Sequence, residues 1–123
     1  MRPIVKVWCL PLGTSEEKLR GFFSEILDAF KSNRKFGVRD EMDLLVLFPA
    51  DLMKFGLGMD ILVEVETGLV YSHVGSTLTF EAENKLADKL LSIFSEGFPE
   101  ALVTVKIETR FNDRQPMVKE NRS

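Results

Sequence analysis

The chain of 123 residues has few of the side chains that build metal sites or disulfides. It contains one cysteine, Cys9, and one histidine, His73. A single cysteine excludes a disulfide within the chain, and this pair does not supply the four ligands of a structural zinc site. We therefore expect no metal and no other cofactor.

The chain also lacks a long hydrophobic run and an excess of either charge. Its longest apolar run, residues 44–48 (LLVLF), is too short to span a bilayer. The formal net charge is −3, with both signs interspersed, which is not the basic footprint of a nucleic-acid-binding protein. We expect neither a membrane nor a nucleic acid as partner.

What remains has the composition of an ordinary globular domain. The chain is 45% hydrophobic and 28% charged, and its length is sufficient for one domain, residues 1–123, with a substantial core. The first residues already have the composition of a strand, so we expect no secretory signal and a cytoplasmic location.

A strand–helix–strand pattern occurs twice, in residues 3–49 and in residues 60–111. In each half an amphipathic helix carries apolar residues at three- and four-residue steps, such as Phe22, Ile26 and Phe30 in the first half. The first strand is predicted at residues 4–10. A polar tail is predicted at residues 112–123. We predict an α+β fold in which this duplicated β-α-β unit forms a four-stranded sheet with two helices on one face.

No further segment is available to cover the other face of this sheet. Residues 44–48 are apolar at every position, which is typical of a strand buried on both faces. Exposing that second face would create a large apolar patch, which soluble monomers avoid. We therefore predict a homo-oligomer in which sheet faces pack together; the alternative is a monomer whose carboxyl-terminal tail folds back.

The order and spacing of several motifs resemble the tautomerase superfamily. Residues 3–5 (PIV) open a strand, an acidic helix start and an apolar strand follow, and residues 55–58 (FGLG) form a loop. The first half is similar to 4-oxalocrotonate tautomerase, residues 49–56 to macrophage migration inhibitory factor, and residues 105–108 to 5-carboxymethyl-2-hydroxymuconate isomerase. The resemblance implies a homotrimer with a pocket between subunits, at the start of the first strand.

The chain departs from this superfamily at the catalytic base, which is an amino-terminal proline exposed by removal of the initiator methionine. A free α-amine has a pKa of about 7.7–8.0, which suits proton transfer between carbon atoms near neutral pH. Here Arg2 precedes Pro3, and methionine is normally removed only before small residues. The Pro3 nitrogen is then a tertiary amide without useful basicity. We predict that tautomerase or isomerase activity is lost or altered.

The resemblance nevertheless implies a ligand site at Pro3, the position of the family base. The arginines that hold the substrate carboxylate in the family have no direct match in this chain. Arg2, Arg39 and Lys54 are candidate replacements as anion contacts, and Phe55 is a candidate apolar wall. The expected ligand is a small carboxylate or aromatic molecule.

Two alternatives to a tautomerase relative with altered activity stay open. In the first alternative, the chain is an active keto-enol isomerase that uses another base, such as the Met1 amine or a proline exposed by processing. In the second alternative, the chain is a non-catalytic ligand-binding module with a ferredoxin-like fold, which has the same order of strands and helices.

Overall fold

The computed structural model describes residues 3–11, 13–49, 60–67, 76–109 and 117–121. Within these ranges the elements are β1 (Ile4–Trp8), α1 (Glu16–Lys31), β2 (Leu45–Leu47), β3 (Ile61–Thr67), α2 (Ser76–Gly97), β4 (Val103–Thr109) and β5 (Met117–Glu120). Two short 3-10 helices, Arg34–Phe36 and Glu41–Asp43, lie between α1 and β2. Neither α1 nor α2 is long and apolar enough to cross a membrane.

The start of α1 follows from local chemistry. The Ser15 side chain accepts a hydrogen bond from the Lys18 amide at 3.1 Å, which satisfies one of the free amides of the first turn. Glu16 and Glu17 add negative charge at the positive end of the helix dipole. The predicted apolar stripe is confirmed, since Phe22, Ile26, Ala29 and Phe30 are the buried residues of α1.

β1 is shorter than the predicted strand at residues 4–10. It ends at Trp8, because Cys9 has a φ of 68°, in the left-handed region that side chains other than glycine rarely adopt. An extended strand cannot continue through that conformation, so the chain turns away from the sheet at Cys9.

The sheet has the strand order β2-β1-β3-β4-β5. β1 pairs with β2 in parallel and β3 with β4 in parallel, while β1–β3 and β4–β5 are antiparallel. The two parallel strands of each half are therefore direct neighbours. In a ferredoxin-like fold the strands of each β-α-β unit are split by another strand, so the ferredoxin-like alternative is wrong about this topology.

The prediction of four strands is wrong because residues 117–120, expected in a polar tail, form β5. Asn121 explains how this polar segment is held at the edge of the sheet. Its side-chain oxygen accepts a hydrogen bond from the Val103 amide at 2.8 Å, and its amide nitrogen donates to the Ala101 carbonyl at 2.9 Å and the Ser95 hydroxyl at 3.1 Å.

The core lies between the two helices and one face of the sheet. The inward-facing strand residues are fully buried or nearly so: Val5, Val7, Ile61, Val63, Val65, Val103, Val105 and Ile107. They form one cluster with the apolar stripes of α1 and α2. An aromatic group closes one end of this cluster, with the Phe22 ring centroid 4.7 Å from that of Phe94 and 5.7 Å from that of Phe98.

The second strand does not have the double-sided burial that its composition predicts. β2 pairs only with β1 among the described residues, and Leu45 and Leu47 are 47% and 39% exposed. Both leucines lie on the sheet face turned away from the helices, beside Ile4 and Lys6, and no helix covers that face in the single chain. Burial of this face is predicted for an oligomer and stays a prediction.

The close approach of Gly97 to Phe22 gives a test of the packing between the helices. A Cβ atom at Gly97 would lie 2.8 Å from two Phe22 ring atoms, and Phe22 is buried. We expect Gly97→Ala to lower the free energy of unfolding by about 1–3 kcal/mol through overpacking. Urea denaturation at equilibrium measures the change.

Gly21→Ala is the matched control for the same substitution in a helix. A Cβ atom there would meet nothing within 4 Å. We expect Gly21→Ala to raise stability by about 0.5–1 kcal/mol because alanine has the higher helix propensity. Equal effects of the two substitutions would contradict the packing described for Gly97.

Candidate functional site

Pro3 is buried in the sheet, at the end where β1 and β2 begin. Its carbonyl oxygen accepts a hydrogen bond from the Leu45 amide at 3.2 Å. The next residue, Ile4, pairs with Leu45 on β2 and with Glu66 on β3. Pro3 therefore lies beside the start of β2 and the end of β3. The family resemblance implies a ligand site at this start of the first strand.

The sheet face turned away from the helices, here called the open face, carries charged side chains across its middle. Side chains alternate between the two faces of a strand, so the neighbours of the buried valines lie on this face. Lys6, Glu64 and Lys106 are direct cross-strand neighbours in one row. Glu66 and Glu108 are neighbours in the next row, and these five residues are called the charged belt.

A small indentation lies within the charged belt, next to Ile4. Its volume is about 30 Å³, and the belt residues line it. A water molecule needs at least about 10–15 Å³, so this space admits one or two waters and no organic substrate. The open face of one chain is therefore not a finished ligand pocket.

Two specific contacts involve residues of the charged belt. The Trp8 indole nitrogen donates to Glu64 at 2.5 Å, and the Lys106 ammonium lies 3.0 Å from a Glu108 carboxylate oxygen. The hydrogen bond and the charge of Glu108, with a smaller effect of Glu64, raise the pKa of Lys106 above 10.5. Among the described residues, no three histidine, cysteine or carboxylate side chains are grouped to hold a metal ion.

The pairing of Lys106 with Glu108 predicts a pH dependence. A lysine whose pKa is raised on folding stabilises the protein below its unfolded pKa of about 10.4, and this contribution is lost as the pH rises through the folded value. We expect Glu108→Gln to lower the pKa of Lys106, as measured by an NMR titration of the lysine Cε signal. Glu16→Gln removes the partner of Arg20 on α1 and should leave the pKa of Lys106 unchanged. An unchanged titration in Glu108→Gln would contradict the pairing.

Arg39 lies in a different concavity from the indentation of the open face. It lines a space of about 290 Å³ at the end of α1 together with Lys31, Arg34, Gly37 and Val38. Pro3 is not among these lining residues.

Of the five residues predicted for the site, the structure thus positions Pro3 and Arg39 and does not bring them together in one cavity of the single chain. Arg2, Lys54 and Phe55 lie outside the described residues.

Among the described residues, three buried polar side chains are absent from the sequence prediction: Thr67, Glu83 and Thr104. Thr104 is 3% exposed on the open face beside Leu62, and its hydroxyl has no hydrogen-bond partner. Strand alternation predicts only the face of Thr104 and gives no signal of its burial. Glu83 is 3% exposed on α2. Its spacing from Ala87 and Leu90 places it on the apolar stripe, and this signal was available in the sequence.

Comparison with solved structures identifies proteins with the same fold. Leishmania major MIF2 superposes with a TM-score of 0.63 at 10% identity, covering 93% of both chains. A 5-carboxymethyl-2-hydroxymuconate delta-isomerase superposes with a TM-score of 0.60 at 11% identity, and the match covers 93% of this chain and 86% of that chain. A fused 4-OT, described as a wild-type asymmetric trimer, gives 0.55 at 15% identity, covering 91% of both chains.

These are tautomerase superfamily proteins, so the resemblance inferred from the sequence is confirmed at the level of the fold. No protein-family model and no curated protein matches the chain.

Proposed function

We propose that this chain, which has the tautomerase fold, binds a small carboxylate or aromatic ligand between the subunits of a homotrimer, and that its proline base is blocked. The observation that carries the proposal is the position of Pro3. It lies buried at the start of β1, with Arg2 attached to its nitrogen. A proline nitrogen in a peptide bond has no proton and no useful basicity, so tautomerase or isomerase activity is lost or altered.

Exposed apolar side chains at both edges of the open face support the homotrimer. Leu45 and Leu47 on β2 are 47% and 39% exposed, and Val118 on β5 is 55% exposed. The buried Thr104 hydroxyl also lacks a partner on this face. Neighbouring subunits would cover the leucines and the valine, and the fused 4-OT with the same fold is itself described as a trimer.

The charged belt limits how the subunits can meet. Burying Lys6, Glu64 and Lys106 without excellent geometry costs more than their mutual attraction returns. The open face is therefore not the uniformly apolar surface that the sequence analysis assumed. Contact through the apolar edge strands, with the belt left in water, satisfies both constraints.

The proposed ligand pocket is completed by a second subunit, because the indentation beside Ile4 admits only water-sized molecules. Pro3 forms its floor. Arg2, Lys54 and Phe55 remain proposed ligand contacts of this pocket. Within one chain Arg39 lines a separate concavity, so a role for Arg39 in this pocket requires that a neighbouring subunit supplies it.

A chain prepared to begin at Pro3 tests whether the base is blocked. We expect the full chain to convert phenylenolpyruvate at the uncatalysed rate, because the Arg2–Pro3 peptide bond removes the amine. The shortened chain has a free secondary amine at Pro3 and should gain activity, by about 10²-fold or more for a restored general base. The same shortened chain with Pro3→Ala is the control and should lose most of this gain.

Two results would contradict this proposal. Activity in a full chain whose Arg2–Pro3 bond is shown to be intact by mass spectrometry would favour an isomerase with another base, such as the Met1 amine. A shortened chain that folds with an unchanged circular dichroism spectrum but has no activity would argue against a pocket at Pro3.

Light scattering after size exclusion tests the assembly. One chain has a mass of 14.0 kDa, so a homotrimer should give three times this value. Leu47→Lys should shift the population toward the monomer, because it places a charge in the proposed contact. Met42→Lys is the control, since Met42 is 68% exposed outside the sheet, and it should leave the mass unchanged. A monomeric unmodified chain at micromolar concentration would rule out the proposed trimer.

A further inference from the structure

Three cations surround one concavity at the carboxyl end of α1. Lys31 is the last residue of the helix, Arg34 lies in the following 3-10 helix, and Arg39 comes just before the next one. Together with Gly37 and Val38 they line a volume of about 290 Å³, here called the cationic groove. Small-molecule sites begin at about 300 Å³, so the groove has the size for a small organic anion.

The two acids nearest in sequence to Arg39, Asp40 and Asp43, do not form ion pairs with the cations of the cationic groove. Asp43 accepts a hydrogen bond from the Arg39 backbone amide at 3.0 Å, and Asp40 accepts one from the Met42 amide at 2.8 Å. Both carboxylates thus hold the backbone of the loop. Within the part of the chain that the structure describes, Lys31, Arg34 and Arg39 form no ion pair.

The helix dipole accounts for only part of this arrangement. A cation in the last turn of a helix is stabilised by the negative end of the dipole, and this explains Lys31. The effect is confined to that last turn, so it does not explain Arg34 or Arg39. Their convergence with Lys31 is also unexpected in a chain with a net charge of −3, since acids outnumber bases.

We propose that the cationic groove binds a multivalent anion, of the class of small phosphate esters and diphosphates. Each arginine presents a planar fork of donors that matches two phosphate oxygens, and the lysine adds a point charge. Val38 and the aliphatic stems of the arginines provide an apolar surface for the organic part of the ligand. The cationic groove shares Arg39 with the proposed Pro3 pocket, whereas Lys31 and Arg34 have no part in that pocket. The Arg34→Gln variant therefore tests the groove separately from the proposed function.

Calorimetric titration with inorganic pyrophosphate, inorganic phosphate and citrate, at constant ionic strength, tests the cationic groove. We expect saturable binding that is tightest for pyrophosphate, with amide NMR shifts at residues 37–39. Arg34→Gln and Arg39→Gln should each weaken binding about tenfold, the loss of one charge-assisted hydrogen-bonded contact. Both side chains are exposed, so the fold should persist, and circular dichroism verifies it.

Lys35→Gln is the matched control. Lys35 lies beside Arg34 in the same 3-10 helix and does not line the groove, so its loss should change the affinity by less than about twofold, the size of a screened surface effect. Equal weakening by Lys35→Gln and Arg34→Gln would show unspecific attraction and overturn the proposal. Absence of saturable pyrophosphate binding would overturn it as well, and binding of citrate alone would overturn the assignment to phosphate.

Discussion

Burial of one sheet face and not the other is the constraint on which the rest of this structure depends. Strand alternation sends Val5, Val7, Val63 and Val65 into the core beneath α1 and α2, where they are nearly inaccessible to water. The same alternation obliges every second residue to face away from the helices. Both helices pack on the same side of the sheet. The side chains of these outward-facing strand residues therefore determine the chemistry of the open face.

Those positions divide the open face into two kinds of surface. The charged belt occupies the central strands β1, β3 and β4, and within it Lys106 pairs with Glu108. Apolar side chains on β2 and β5 occupy the edges. Charges resist desolvation and apolar edges favour it, so this division favours an assembly that joins edges and leaves its middle hydrated.

The amide bond at Pro3 shows why the fold alone does not determine the chemistry. In the proposed function, Pro3 stands at the position of the family's base without being a base, because basicity belongs to a free amine and is absent from an amide. The fold is thus compatible with the loss of the reaction that its relatives' names suggest. The cationic groove lies apart from Pro3 and offers a different function, the recognition of negative charge, on the outer part of the same scaffold.

The sequence by itself indicated two amphipathic helices, the apolar stripe of α1 and the resemblance to the tautomerase fold, because apolar steps and motif spacing are local patterns. Only the tertiary structure decided that residues 117–120 complete the sheet, that β2 is an edge strand, that Thr104 is buried, and that Lys31, Arg34 and Arg39 line one concavity. Periodicity tells which face of an element is apolar. Which distant segment covers that face depends on long-range pairing, as when Asn121 fastens β5 beside Val103.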